Sequence, residues 1–243
     1  MNIFGFETVD SLPALYHPEL DLLAISDIHL GLEGTLTSEG SYIPQFQLDE
    51  LLGDIDEAKE ETGASRVLVN GDLKHEFSGT SHSERKEIRE LLDFLKDRFE
   101  DVIIVKGNHD TFVDSIAEDA GVDIEDKHLE DGVLFSHGHK TLETAFDYET
   151  LVIGHEHPAL ELKDEVGVKE KVDCFLYGEQ ENGRNIIVMP AFSKISGGSR
   201  INQVPQEELL SPVLRNSVDM DSMKAVAVSR EAGLFKFPEI GKL

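Results

Sequence analysis

The chain has no tryptophan, a single cysteine, eight prolines and only 22 basic residues among 243. Each shortage excludes something. With Cys174 alone, no internal disulfide can form and no cysteine-rich structural zinc site can be built, so a reducing compartment is expected. No apolar stretch approaches the roughly 18 residues that a membrane-crossing helix needs. The opening MNIFGFETVDSLPALYHPELD lacks the basic start and long apolar centre of a secretory signal, so a soluble, cytoplasmic protein is expected. The 22 basic residues face 49 acidic ones, a net charge of −27, which disfavours a basic stripe for polyanions. Such an excess repels itself at low ionic strength but is screened within roughly 3 Å at about 1 M salt. A salt-adapted cytoplasm is therefore expected, and in high salt the argument against a nucleic-acid partner weakens. The plainer alternative is an acidic protein kept soluble by its surface charge.

What is present is a rhythm of short apolar runs: LLAI (22–25), VLV (67–69), VIIV (102–105), VLF (133–135) and LVI (151–153). Unbroken runs of this kind predict strands covered on both faces. Leu48, Leu51, Leu52, Ile55 and Ala58 fall on one helical face that Gly63 would end. Ile88, Leu91, Leu92, Leu95 and Phe99 form another, entered through Ser81 or Ser83 as caps. Strand–helix alternation predicts right-handed βαβ units in an α/β fold. Residues 31–44, rich in Gly, Ser and Thr, read as a plain flexible loop that could also roof the ends of the strands. VDCFLYG, NIIVMPAF and KAVAVSREAGLFKF predict strands and a hairpin within 172–238 that complete a second sheet. No repeat, low-complexity tract or linker divides residues 1–243, and one domain is expected.

The residues after each run carry the chemistry. LLAI leads to Asp27 and His29, VLV to Gly71-Asp72, and VIIV to Gly107-Asn108-His109-Asp110. VLF leads to His137-Gly138-His139, and LVI to Gly154-His155-Glu156-His157. Metal-ligating side chains at the carboxyl ends of strands lie where α/β sheets bind ligands, with glycines permitting tight turns beside them. A lone Gly-Asp is an ordinary turn and a lone strand-end histidine an ordinary solvated one; five in register are not.

This five-part pattern, spanning 22–158, resembles the signature of the calcineurin-like metallophosphoesterase superfamily. Within it, NGDLKHEF (70–77), HGHK (137–140) and NIIVMPAFSKISGG resemble an archaeal group of ICC-like or SbcD-related phosphoesterases. The resemblance implies a four-layer α/β/β/α sandwich with two packed mixed sheets. It also implies two divalent ions, Mn²⁺ foremost with Fe or Zn²⁺ as alternatives. One would take Asp27, His29, Asp72 and His157; the other Asp72, Asn108, His137 and His155. The implied reaction is hydrolysis of a phosphodiester, of nucleic acid or nucleotide type, by a metal-bridged hydroxide. His109 takes the role of the family's catalytic histidine that binds no metal, protonating the leaving oxygen or stabilising the transition state. Asp110 would orient it or, equally, cap a turn.

That ligand count leaves His139 over, so of the two His-x-His pairs only His155 and His157 would both bind metal. His139, His75, Lys74 and Lys140 are expected near substrate, with Lys74, Lys106 and Lys140 supplying local positive charge; solvated loop lysines are the alternative. His17, His82 and His128 read as surface histidines. Glu33 could contact a group behind the ligands. A chain ending at 243 leaves little room for an extra DNA-gripping domain, so a phosphomonoesterase acting on a small molecule stays open. A non-catalytic scaffold of this fold is disfavoured, because such scaffolds lose ligands that this sequence retains.

Overall fold

Strand and helix alternate through the first half of the chain, as the pattern predicts. A computed structural model describes residues 1–38, 40, 46–77, 79–142, 146–163 and 167–243. The first sheet runs in spatial order β1 (Asn2–Ile3), β2 (Phe6–Thr8), β3 (Leu15–His17), β4 (Leu22–Ile25), β5 (Arg66–Asn70), β6 (Asp101–Val105), β7 (Ile124–Glu125). Strands β1 to β4 pair antiparallel and β4 to β7 parallel.

The second sheet begins with β8 (His128–Glu130), β9 (Val133–Phe135), β10 (Thr150–Ile153), β11 (Pro158–Lys163) and β12 (Lys169–Glu179). It is completed by β13 (Asn185–Val188), β14 (Ser199–Arg200), β15 (Lys224–Ser229) and β16 (Gly233–Glu239). Strands β9, β10 and β13 are parallel neighbours, while β12 pairs antiparallel with β11, β13 and β15. Both sheets are mixed.

The apolar runs lack alternation because both faces are covered. Leu23 and Ile25 of β4 face the helices, packing with Leu51, Ile55, Leu91 and Leu95, whereas Leu22 and Ala24 face the second sheet. On β10, Val152 points between the sheets while Leu151 and Ile153 point to the outer layer. Phe6, Phe135 and Phe175 fill the space between the sheets, each contributing about 1.5–3 kcal/mol by its burial. Arg66 of β5 and Glu130 of β8 join the sheets through two hydrogen bonds of 2.9 and 3.0 Å.

Helix α1 (Leu32–Ser38) precedes α2 (Gln47–Thr62), α3 (His82–Arg98) and α4 (Asp114–Ala120). Gly63 ends α2 in the left-handed conformation, and Ser81 opens α3 in a capping box with Glu84. Among the described residues, the helical cover on the outer face of the second sheet is α5 (Pro212–Asn216) and three 3-10 turns, Gln206–Glu208, Met220–Ser222 and Ile240–Lys242. The fourth layer is thin.

One expectation is corrected here. Residues 32–38 are helical, not loop; positions 39 and 41–44 lie outside the described residues. Thr37 bonds back to the Glu33 carbonyl at 2.7 Å, which fits a Thr-bearing segment into a helix. The buried Glu33 carboxylate accepts the N–H groups of Phe46 and Gln47, each at 3.0 Å, and so caps α2 from a distance.

Candidate metal centre

The carboxyl ends of β4, β5 and β6 in one sheet meet those of β9 and β10 in the other. Asn70 crosses between them: its Nδ2 donates to the Val152 carbonyl at 3.3 Å, and its own carbonyl accepts from His137 Nδ1 at 3.1 Å. The 27–30 and 71–73 segments extend the β4–β5 pairing past the strand ends, with His29 N–H on the Asp72 carbonyl at 2.9 Å.

The backbone at the site is unusual. Asp27, His29, Asp72, His155 and His157 all have positive φ, between 46° and 67°. This left-handed region is costly for residues other than glycine and persists only where neighbours over-determine it. Two glycines allow the close approach. A Cβ on Gly107 would lie 2.1 Å from Asp72 Oδ1, and one on Gly154 would lie 2.4 Å from Asp27 Oδ2.

The side chains converge in two adjoining groups that contain a carboxylate, Asp27/His29/His157 and Asp72/His137/His155, and a third of histidines alone, His29/His75/His109; donor atoms lie within 4.8 Å of one another in each. His157 Nε2 is 2.9 Å from Asp27 Oδ1 and 3.3 Å from His29 Nε2. His137 Nε2 is 3.2 Å from Asp72 Oδ2 and 3.0 Å from Asn108 Oδ1. Asp72 Oδ2 also faces His29 Nε2 and His109 Nε2, each at 3.8 Å.

Tautomers follow from the outer partners. The Nδ1–H of His157 donates to the Gly197 carbonyl at 3.0 Å, and that of His137 to the Asn70 carbonyl. Both rings then aim Nε2 lone pairs at carboxylate and amide oxygens. Acceptors facing acceptors repel unless a proton or a metal cation sits between them. His29 Nδ1 is moreover buried without a hydrogen-bond partner. This oxygen and imidazole donor set fits divalent transition metals.

The charges agree. Burial opposes ionisation of Asp27, but the charges of His157, His137 and His29 hold its carboxyl well below the usual range. Asp72 is likewise lowered: burial opposes ionisation, and His137 outweighs it. Burial would lower His137, yet its bond to Asp72 and the charges of Asp27 and Asp72 push it up to about 9. Burial pushes His29 and His155 down to about 4.

Asn108 and His109 adjoin this cluster. The His109 N–H donates to Asp72 Oδ1 at 2.9 Å, and its Nδ1 contacts the His75 backbone carbonyl. Asp110 is a correction: fully buried, it accepts Leu73 N–H and Gly107 N–H, each at 2.8 Å, and makes no bond to the His109 ring. It is the turn-capping carboxylate, and the His75 carbonyl orients His109. Lys74 is a second correction, because its side chain is fully buried and its ammonium bonds the carbonyls of Glu76 and Gly79 instead of lining an open mouth. Lys106 pairs with Asp114 at 2.6 Å, while Lys140 is exposed.

His139 lies beside the centre, 5.3 Å from the His137 ring and 6.1 Å from His155, yet in neither donor group. Burial pushes it down to about 4, helped by His137 and Lys140. The His75 ring stands 5.5 Å from both His29 and His109. His82 is exposed, but His17 is buried against Phe6 and accepts the Leu20 N–H, so it is no surface histidine. His128 bonds Glu125 and Glu130.

Several supporting residues escape sequence reasoning. Gln47 Nε2 donates to the Ile28 carbonyl and Ser193 Oγ, each at 3.0 Å, behind His29. Glu156 accepts the Ser211 N–H, and Ser211 Oγ donates to the Gly138 carbonyl, each at 2.8 Å, so one serine steadies both His-x-His loops. Buried Glu84 accepts the N–H groups of His75 and Glu76. Only Glu84 carries a local signal, the Ser-x-x-Glu spacing after Ser81.

A profile of the calcineurin-like phosphoesterase family matches residues 20–216, and the chain belongs to that family. Its members are phosphoester hydrolases that use divalent metals, and the two donor groups are built to bind them. The nuclease MPE of Pseudomonas putida has a similar fold, with a TM-score of 0.62 and 16% identity over 93% of each chain. Yfce, a phosphoesterase from E. coli, aligns over 90% of this chain and 98% of its own at 19% identity, with a TM-score of 0.45. No curated protein matches the sequence significantly. No helix among the described residues is long and apolar enough to cross a membrane.

Proposed function

We propose that this chain is a metal-dependent phosphodiesterase acting on a nucleotide or nucleic-acid phosphodiester. The observation that carries the reading is the pair of adjoining donor groups, with Asp72 Oδ2 facing histidines of both. We assign one ion to Asp27, His29, Asp72 and His157 and the other to Asp72, Asn108, His137 and His155, with Mn²⁺ preferred. Two such ions, when bound, supply Lewis acidity and lower the pKa of water toward neutrality.

The chain's own groups bind, orient and move protons. The Gly197 and Asn70 carbonyls fix the His157 and His137 rings with Nε2 inward. The His75 carbonyl holds His109 by Nδ1, which leaves Nε2 free to pass a proton to the departing oxygen. We take His139, its ring 5.3 Å from that of His137, and the exposed Lys140 that follows it as contacts for the phosphate or its substituent.

A monoanionic diester suits this site better than a dianionic monoester. Among the described residues, every ion pair of Asp27 and Asp72 is with a histidine, and no lysine or arginine joins them. The test is Mn²⁺-dependent hydrolysis of a generic diester, a monoester and single-stranded DNA, from low salt to molar KCl. Diester turnover lost in both Asp72→Ala and His109→Ala supports the reading. Turnover of the monoester alone, or none with any substrate, overturns it.

A further inference from the structure

Phe77 is 53% exposed, and its ring lies over His109 with centroids 3.5 Å apart and planes 35° apart. Phe112, three residues after His109, is 61% exposed and has a φ of 70°, a genuine outlier for a bulky side chain. The two loops are tied together where Thr111 Oγ1 donates to the Phe77 carbonyl at 2.6 Å. These two are the most exposed aromatic side chains among the described residues, and both sit beside the histidine that borders the metal centre. Water contact over so much apolar ring is unfavourable, and the backbone at Phe112 adds strain, so folding alone does not account for either.

We propose that Phe77, flanked by the Phe112 loop, is a stacking platform for one unpaired nucleobase on the leaving-group side of the scissile phosphodiester. The inference rests on the phosphodiesterase reading above and narrows its substrate class. With Phe77 over one face of His109, a group that His109 protonates departs next to that ring. A flat, neutral base matches that ring; a sugar or alkyl chain offers no face to stack. Stacking also suits a chain of net charge −27, because it holds a nucleotide without the cations that backbone binding needs. Bases inside a duplex keep both faces covered by their neighbours, so the platform takes a single-stranded or terminal nucleotide. Base–aromatic stacking is worth roughly ten- to a hundredfold per base.

The test compares kcat/KM, with Mn²⁺ loaded, on a thymidine dinucleotide and on the same dinucleotide lacking the base on its leaving nucleoside. The intact protein is expected to prefer the base-bearing diester at least tenfold, mostly through KM. Phe77→Leu should bring that ratio to within about twofold of unity, and Phe77→Trp should keep it. A ratio near unity in the intact protein overturns the platform, as does a ratio that Phe77→Leu leaves untouched. In both cases hydrolysis of the abasic diester continues, so the phosphodiesterase reading survives; loss of all diester hydrolysis would remove that reading instead. A preference for a longer oligonucleotide as a duplex over the same oligonucleotide as a single strand also overturns the proposal.

Discussion

Asp110 Oδ1 accepts the backbone N–H of Leu73 at 2.8 Å, from a residue 37 positions away in the chain. Its Oδ2 accepts the N–H of Gly107 at the same distance, so one carboxylate fastens the turn after β5 to the turn after β6. Asp72 leaves from the first turn and Asn108 and His109 from the second. An asparagine offers one acceptor oxygen where two N–H groups wait. Asp110→Asn should therefore cost about 1–3 kcal/mol of stability and weaken metal binding, seen as a lower melting temperature and a raised Mn²⁺ dissociation constant. His109→Ala should do the reverse, keeping the metal and losing turnover. Were Asp110→Asn to keep its melting temperature and lose only kcat, Asp110 would be a proton-relay partner of His109 after all.

Metal loading should release a proton at neutral pH. Before an ion binds, His137 has its pKa pushed up to about 9 beside Asp72 and Asp27, so at pH 7 it carries a proton where a cation would sit. His29 and His155, pushed down to about 4, are already neutral there and release nothing. Mn²⁺ affinity should rise by up to about tenfold per pH unit from 7 toward 9 and then level off. For the metal-free protein the sign is opposite. The raised His137 pKa lends stability that is complete below about 6.5 and lost as pH climbs through about 9. Calorimetric titration of Mn²⁺ in two buffers of different ionisation enthalpy measures the proton count; zero protons at pH 7 and a flat affinity would sink this account.

Two glycines should respond in opposite ways to the same methyl group. Gly53 lies in the middle of α2 with open space where a Cβ would go. Gly53→Ala should stabilise the protein by about 0.5–1 kcal/mol. Gly107→Ala would drive a Cβ to 2.1 Å from Asp72 Oδ1, and displacing a ligand in this way should weaken metal binding by at least about tenfold. Paired denaturant melts and metal titrations distinguish the two; a Gly107→Ala protein with unchanged affinity would show that the turn yields more readily than its contacts imply.

Salt should stabilise the fold. The Arg66–Glu130 bond between the sheets weakens as salt screens it, whereas screening relieves the self-repulsion of 27 net negative charges. The second effect is spread over the whole surface and should win. The melting temperature is expected to rise steadily from about 0.1 to 2 M KCl, and more than in sucrose of equal osmolality. A flat or falling curve would mark the acidity as a solubility device with no adaptation to salt.

The strands and the polar side chains at their ends were legible because each signal is local. An apolar run covered on both faces needs no partner to be recognised, and Asp27, Asp72 and His137 each lie two residues past the end of such a strand. The α2 and α3 faces and the Gly63 and Ser81 ends were readable for the same reason. What sequence could not supply were interactions across the chain. Lys74 looks like a mouth residue until Glu76 and Gly79 fold back on its ammonium, and Asp110 looks like a histidine's partner until Leu73 arrives from another loop. Ser211 behind both His-x-His loops is separated from them by more than fifty residues and resembles any other serine. Helix α1 was hidden by its Gly and Thr content, since its capping service to α2 depends on a carboxylate reaching 13 and 14 residues ahead.

The positive φ angles at Asp27, His29, Asp72, His155 and His157 carry a consequence for anyone wishing to move this centre elsewhere. At these five the donor atoms point inward because the chain turns left-handed at the residue that bears them. The same five side chains grafted onto straight strand ends of another sheet would leave along different vectors and miss one another. What would have to be transplanted is a set of bends, complete with Gly107, Gly154 and the buried carboxylate of Asp110 that hold them. The transferable unit of this centre is therefore its backbone path, and the ligands are what that path delivers.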